Sequence, residues 1–121
     1  MPGANEFLNA NLHEVFSERD PDARRAAIER TYAEDVTFID SEEEVVGREA
    51  LNDRAQDLLD RNPAEFVLEE DGPRYVDAET GALAWRLGPP GSPVVRGIDI
   101  ITVRDDRVIV LRTMLASEAG A

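Results

Sequence analysis

Apolar and polar positions along this chain follow two periods, and the change from one to the other divides it. Over residues 4–18, Leu8, Leu12, Val15 and Phe16 recur at helical spacing and predict an amphipathic helix, with His13 and Glu14 well off the apolar stripe. Asp20-Pro21 then offers an N-cap acid followed by proline at the first helical position. A second helix follows, with Ala27, Ile28, Thr31 and Tyr32 on its inner face. Val36-Thr37-Phe38-Ile39-Asp40 alternates with period two and reads as a strand, and "SEEE" as a turn. Gly47-Arg48-Glu49 opens a third helix, closed by "RNP" at 61–63, with Ala50, Leu51, Ala55, Leu58 and Leu59 as its stripe. Beyond it, "EFVLEE", "RYVD", "ALAWRL", "VVRGIDIITV" and "VIVLRTML" read as strands separated by the turn signals "DGP", "AETG", "GPPGSP" and "RDDR". Three helices interrupted by one strand, then a meander, predict one α+β domain over 1–121, its helices on one face of a mostly antiparallel sheet.

The last two strands add a second expectation. Val95, Gly97, Asp99, Ile101 and Val103 face one way, and Val94, Arg96, Ile98, Ile100 and Thr102 the other, so both faces are largely apolar. Three helices cover one face only. The other is expected to pack on a second sheet, most simply in a homodimer.

Composition narrows the function. The 121 residues carry a formal net charge of −13, which opposes phosphate binding and argues against nucleic acid as a partner. There are no cysteines, so no disulfide, thiol nucleophile or thiolate metal site can be built. The one histidine, His13, reads as a solvated helix residue, and any triad or multi-histidine metal site would have to be built around it alone. No metal or cofactor is expected. No apolar run reaches membrane-span length and the N-terminal segment is acidic rather than a signal sequence, so a cytoplasmic location and no membrane partner are expected.

Two acids break the apolar pattern. Asp40 continues the face of Val36 and Phe38, either as the first solvated residue of a turn or as a carboxylate aimed into a pocket. Asp99 lies mid-strand between Ile98 and Ile100. Without a partner it would stay protonated and act as a hydrogen-bond donor; with one, such as Arg54, it would form a structural ion pair. Arg54 sits inside the stripe of the third helix, either snorkelling to water or serving as a cation in a cavity wall. Trp85, on the face of Leu83 and Leu87, is either core or a flat wall for a ring-shaped ligand. One ionised and one neutral carboxyl suit proton abstraction next to a carbonyl: one takes the proton and the other donates to the developing enolate oxygen.

The chain resembles the nuclear transport factor 2-like superfamily, in its ketosteroid isomerase and SnoaL-like branch. "TYAEDVTFIDSEEEVVGREAL", "GALAWRL" and "GIDIITVRDDRVIVL" carry the resemblance. It implies a cystatin-like, cone-shaped curved sheet wrapped on three N-terminal helices around an apolar cavity, with dimers through the outer sheet face. It implies Asp40 as general base, Asp99 as the neutral acid of the oxyanion site and Tyr32 as its support, in a cofactor-free isomerase. The pocket would be lined by Tyr32, Phe38, Arg54, Leu83, Trp85, Leu111, Leu115 and Leu12. Leu12 stands where steroid isomerases carry an oxyanion tyrosine on the first helix, and Ala55 stands near the place of a second supporting tyrosine. The expected role is a small-molecule pocket protein acting on an apolar ring substrate. The alternatives are a SnoaL-like cyclase and a non-catalytic ligand-binding or protein-interaction module of the same fold. Limonene epoxide hydrolase-like members use an Arg and an Asp two apart on one strand face, whereas Arg96 lies three before Asp99.

Overall fold

A computed structural model describes residues 3–117. The first helix runs as α-helix over Ala4–Asn9 (α1) and continues as a wider π-helical segment over Ala10–Val15, closed by the Phe16 N–H on the Asn11 carbonyl. A π-helical turn rotates successive side chains less than an α-turn does, and such turns often mark functional sites. Here Ala10, Asn11 and Leu12 are all buried. Helix α2 (Pro21–Thr31) is capped by Asp20, whose side chain accepts from the Ala23 N–H at 3.0 Å. Helix α3 (Arg48–Arg61) starts after Gly47. The Arg48 guanidinium donates back to the carbonyls of Tyr32 and Glu29, tying the start of α3 to the end of α2.

Six strands form one curved, open mixed sheet: β1 (Tyr32–Ile39), β2 (Glu44–Val46), β3 (Val67–Val76), β4 (Thr80–Gly88), β5 (Val95–Arg104) and β6 (Arg107–Leu115). Their spatial order is β2-β1-β6-β5-β4-β3. All neighbours are antiparallel except β1 and β6, which run parallel. The three helices and the α+β architecture match the sequence expectation.

Three boundaries differ from it. Tyr32 is the first residue of β1 rather than the end of α2, and a register irregularity between Tyr32 and Thr37 hides the alternation of the strand's first half. The "SEEE" turn runs straight into β2, which pairs with β1 through Phe38 and Val45. "EFVLEE" and "RYVD" are one strand, not two. A bulge between Glu70 and Arg74 absorbs Gly72, at φ 129°, and Pro73. Proline and a bulge are tolerated there because β3 is the sheet edge.

The core lies between the helices and the inner face of the sheet. Leu8, Leu12, Val15, Ile28, Tyr32 and Leu51 meet Leu83, Ile101, Val108 and Leu111 there. Arg24, 1% exposed, ties α2 to α3 by donating to Asn52 Oδ1 at 2.8 Å and to Gln56 Oε1.

Candidate functional site

A cavity of about 500 Å³ opens at one end of this core. That is within the usual range of small-molecule sites, about 300–1,000 Å³. The end of the first helix contributes His13, Phe16, Ser17 and Arg19, and the end of β1 with its turn contributes Phe38 and Asp40 to Glu42. Helix α3 contributes Arg54, Leu58, Leu59 and Arg61, and the loop after it Asn62 and Phe66. The sheet contributes Val67 and Leu68, Trp85 and Leu87, Val95 and Asp99, and Thr113 and Leu115. Phe16 and Phe38 meet edge to face with centroids 5.5 Å apart.

The two acids line this one cavity in opposite environments. Asp40 is held on both oxygens. Its Oδ1 accepts from the backbone N–H groups of Glu42 at 2.8 Å and Glu43 at 2.9 Å, which makes the turn. Its Oδ2 accepts from Arg54 Nε at 2.9 Å and lies 2.8 Å from Arg54 Nη2. Burial pushes this carboxyl up, but the N–H groups of Glu43 and Glu42 and the Arg54 guanidinium offset that and hold it below its usual range. Asp40 is therefore a turn acid and a cavity residue at once. Arg54 sits in the cavity wall paired with Asp40, Glu42 and Asp57, so the cation expected as one possible partner of Asp99 serves Asp40 instead.

Among the described residues no cation pairs with Asp99. Its Oδ1 accepts from Trp85 Nε1 at 2.9 Å and from Thr113 Oγ1 at 2.7 Å, and its Oδ2 accepts from Asn11 Nδ2 at 2.8 Å. Burial pushes this carboxyl up, and the three neutral donors offset that only in part. Counting acceptor positions, Oδ1 is filled by two donors and Oδ2 by one, which leaves a single open position on the carboxylate. Tyr32 donates its hydroxyl to Asn11 Oδ1, which turns the Asn11 amide so that its NH₂ faces Asp99. Burial and the nearby Asp99 push the Tyr32 hydroxyl well above its ordinary value, so it stays a donor.

Trp85 reaches Asp99 because of a glycine. Trp85 pairs across β4 and β5 with Gly97, and its indole lies over that residue. A Cβ on Gly97 would stand 2.4 Å from the ring carbon Cζ2. Only a residue without a side chain lets the ring lie flat enough for Nε1 to meet the carboxylate two residues on.

Phe38, Arg54, Trp85 and Leu115 line the cavity, with Asp40 and Asp99. Leu12, Leu83 and Leu111 are buried core residues outside its lining, and Tyr32 contacts the site through Asn11. Sequence reasoning missed Asn11, although it falls three residues after Leu8 and so within the apolar stripe. It also missed Thr113, which stands directly opposite Asp99 in the β5–β6 register. His13 is exposed as expected, but on the cavity rim. Among the described residues no group of three His, Cys, Asp or Glu side chains is placed to hold a metal ion. No helix among them is long and apolar enough to cross a membrane.

The SnoaL-like domain model matches residues 10–111. The chain belongs to the SnoaL-like domain family. Among solved structures it is similar to a "putative isomerase of the SnoaL-like family" from Agrobacterium tumefaciens, with 18% identity, 93% of this chain and 97% of that chain covered, and a TM-score of 0.84. It is similar to a "putative polyketide cyclase" from Sinorhizobium meliloti, with 22% identity, 93% and 94% coverage and a TM-score of 0.70. A "de novo designed protein with curved beta-sheet" also matches, with 13% identity, 97% and 90% coverage and a TM-score of 0.72. At such identities the likeness shows the fold, and a designed chain among the neighbours underlines that this fold does not carry one activity. No curated protein matches the chain in sequence.

Proposed function

We propose that this SnoaL-like protein is a cofactor-free acid–base catalyst that moves a proton next to a carbonyl of an apolar ring substrate, with Asp99 as the group that takes and returns the proton. One observation carries the reading: a buried carboxylate in a cavity wall, without a counter-charge, with its pKa raised and one acceptor position open. A base so placed can take a proton and, because its pKa is raised, hold it long enough to return it. The C–H electron pair moves into the enolate, the proton rests on Asp99, and it returns to the same or a neighbouring carbon.

The resemblance assigns the base role to Asp40. Four donor contacts on one carboxylate and a lowered pKa argue for a different part: Asp40 fixes Arg54 and the turn that forms one cavity wall. The same chemistry at Asp99 would serve a SnoaL-like cyclase, in which the enolate attacks a second carbonyl of the substrate. The absence of any tyrosine among the cavity-lining residues favours that version over a steroid isomerase with a strong oxyanion site.

The test is deuterium exchange at the α-carbon of a panel of cyclic ketones, including a β,γ-unsaturated one, followed by NMR in D₂O. Wild type should accelerate exchange, and Asp99→Asn should lower the rate about 10²- to 10⁴-fold. Exchange that persists in Asp99→Asn and vanishes in Asp40→Asn would return the base to Asp40. A folded wild type that accelerates no exchange would favour the non-catalytic binding module.

The working unit in this reading is a cytoplasmic homodimer. Tyr75, 67% exposed, and Met114, 44% exposed, join the half-buried Ile98 and Ile100 on the outer sheet face, which the helices do not cover. Light scattering should give twice the chain mass, and Ile100→Glu should give the monomer.

A further inference from the structure

His13 has no part in the chemistry above, yet its position is built. Arg74 grips Glu70 through Nε at 2.9 Å and Nη2 at 2.8 Å, and is itself anchored by donating to Asn5 Oδ1 at 3.0 Å and Asn9 Oδ1 at 3.1 Å on α1. Glu70 Oε2 lies 3.3 Å from His13 Nε2. Arg74, first, and His13 hold the Glu70 carboxyl down at about 2. Glu70 is therefore a carboxylate near neutral pH and can only accept. The tautomer with the hydrogen on Nε2 satisfies this contact, and it turns the Nδ1 lone pair to a ligand. The remaining charged group beside it on the same helix, Glu14, is held by Arg30.

The sheet register places this histidine relative to Asp99. Glu70 stands directly opposite Trp85, and Trp85 reaches Asp99. Glu70 and Asp99 lie on β3 and β5, two strand spacings across and two residues along the sheet, about 12 Å apart. The Trp85 backbone lies in the strand between them, its indole lies over Gly97 beside Asp99, and His13, Trp85 and Asp99 line the same cavity. A flat ligand stacked on Trp85 would meet Asp99 at one end and His13 at the other.

We infer that His13 is a specificity residue, and that the ligand is a flat ring compound carrying oxygen functions at both ends: one for the Asp99 station and one for His13. A neutral His13 accepts from a ligand hydroxyl at Nδ1, and a charged one donates to a ketone or phenolate oxygen. Glu70 and Arg74 are positioning residues for it. The inference rests on the Asp99 cavity being the substrate site, and it names the class of molecule that site takes.

The probes are 2-naphthol and 2,6-dihydroxynaphthalene, which differ by the second hydroxyl. The chain contains one tryptophan and one histidine, so Trp85 fluorescence reports binding and the single imidazole NMR signal reports contact with His13. We expect the dihydroxy compound to bind about 10-fold tighter and to shift the imidazole signal, and 2-naphthol to leave that signal in place. His13→Leu should bind both compounds alike. Equal affinities in wild type, an unmoved imidazole signal at saturating 2,6-dihydroxynaphthalene, or failure of both probes to bind would overturn the inference. None of these results touches the role of Asp99, which ketone exchange tests on singly functionalised compounds.

Discussion

Gly97→Ala is the sharpest probe of the site, because it adds one methyl group at the point where the indole crosses the strand. The new Cβ would stand 2.4 Å from Trp85 Cζ2, 2.8 Å from Cη2 and 2.8 Å from the Met114 carbonyl oxygen. The last of these is backbone of the paired strand β6, so the methyl cannot move away from the indole on that side and the ring has to lift. Overpacking of this kind costs about 1–3 kcal/mol. A lifted ring also withdraws its N–H from a buried carboxylate, a further loss of about 1–2 kcal/mol. The combined effect, about 3 kcal/mol, corresponds to a fall in Tm of roughly 10–15 °C for a domain of this size.

Two assays separate displacement of the ring from a general loss of packing. Trp85 is 8% exposed and is the chain's sole tryptophan, so its emission should move to longer wavelength in Gly97→Ala. The Asp99 carboxyl, short of one donor to its charged form, should titrate still higher in carboxyl NMR. Trp85→Phe removes the clashing ring atoms and leaves the contact with the Met114 carbonyl, so alanine at position 97 should cost less in that background by the share the ring contributes, which a double-mutant cycle measures. A Gly97→Ala protein that melts within about 2 °C of wild type with unchanged emission would refute the account of how Trp85 reaches Asp99.

Four other perturbations follow from the same geometry. Asp99 has a folded pKa above its ordinary 3.8, so its contribution to stability is full below that value and is lost as pH rises through the folded value. Asp99→Asn should therefore flatten the fall in Tm with rising pH above about 4, whatever it does to the absolute Tm. Asp40 has the opposite sign: its stabilisation is present above its ordinary 3.8 and is lost as pH falls through its lower folded value, so Asp40→Asn should blunt acid unfolding below about pH 4. Arg54→Met leaves Asp40 without its partner in a pair whose side chains are 7% and 8% exposed. It should cost about 3–5 kcal/mol, read as a lower urea midpoint that added salt does not restore. Asn11→Leu strips the acceptor from the buried Tyr32 hydroxyl and a donor from Asp99, so stability should fall by about 1–3 kcal/mol and the Asp99 titration should move to higher pH.

Local pattern carried most of the fold. The helices of Leu8–Phe16, Ala27–Thr31 and Leu51–Leu59 and the last three strands are period signals and stand where the periods put them, while the two strands read before them are one. What local pattern lost was what the chain does at its irregularities. The bulge at Gly72-Pro73 reads as a turn because both residues favour turns, and it continues as a strand only because β3 has an edge to spare. The bulged start of β1 hides Tyr32 inside an apparent helix end, because its alternation is broken before it begins.

The site was legible as an anomaly and illegible as a network. An acid between Ile98 and Ile100 is conspicuous in any sequence, but its environment is set by partners that sequence separation hides: Asn11 is 88 residues away, and nothing local ties a helix asparagine to a strand acid. The identity of those partners decides the chemistry. Arg54 beside Asp99 would have fixed an inert ion pair; Asn11, Trp85 and Thr113 are neutral donors, which hold the carboxylate in place without neutralising it. The guanidinium lies instead beside Asp40, the acid that sequence pattern placed more openly in a turn. Two aspartates of identical intrinsic acidity are thus driven apart by the balance of burial and donors: burial outweighs three neutral donors at Asp99, whereas the backbone N–H groups of Glu43 and Glu42 and the Arg54 guanidinium outweigh it at Asp40. That division sets Asp99, the more deeply buried of the two, above its ordinary range and Asp40 below it, which is the pattern that gives two like acids different parts in one cavity.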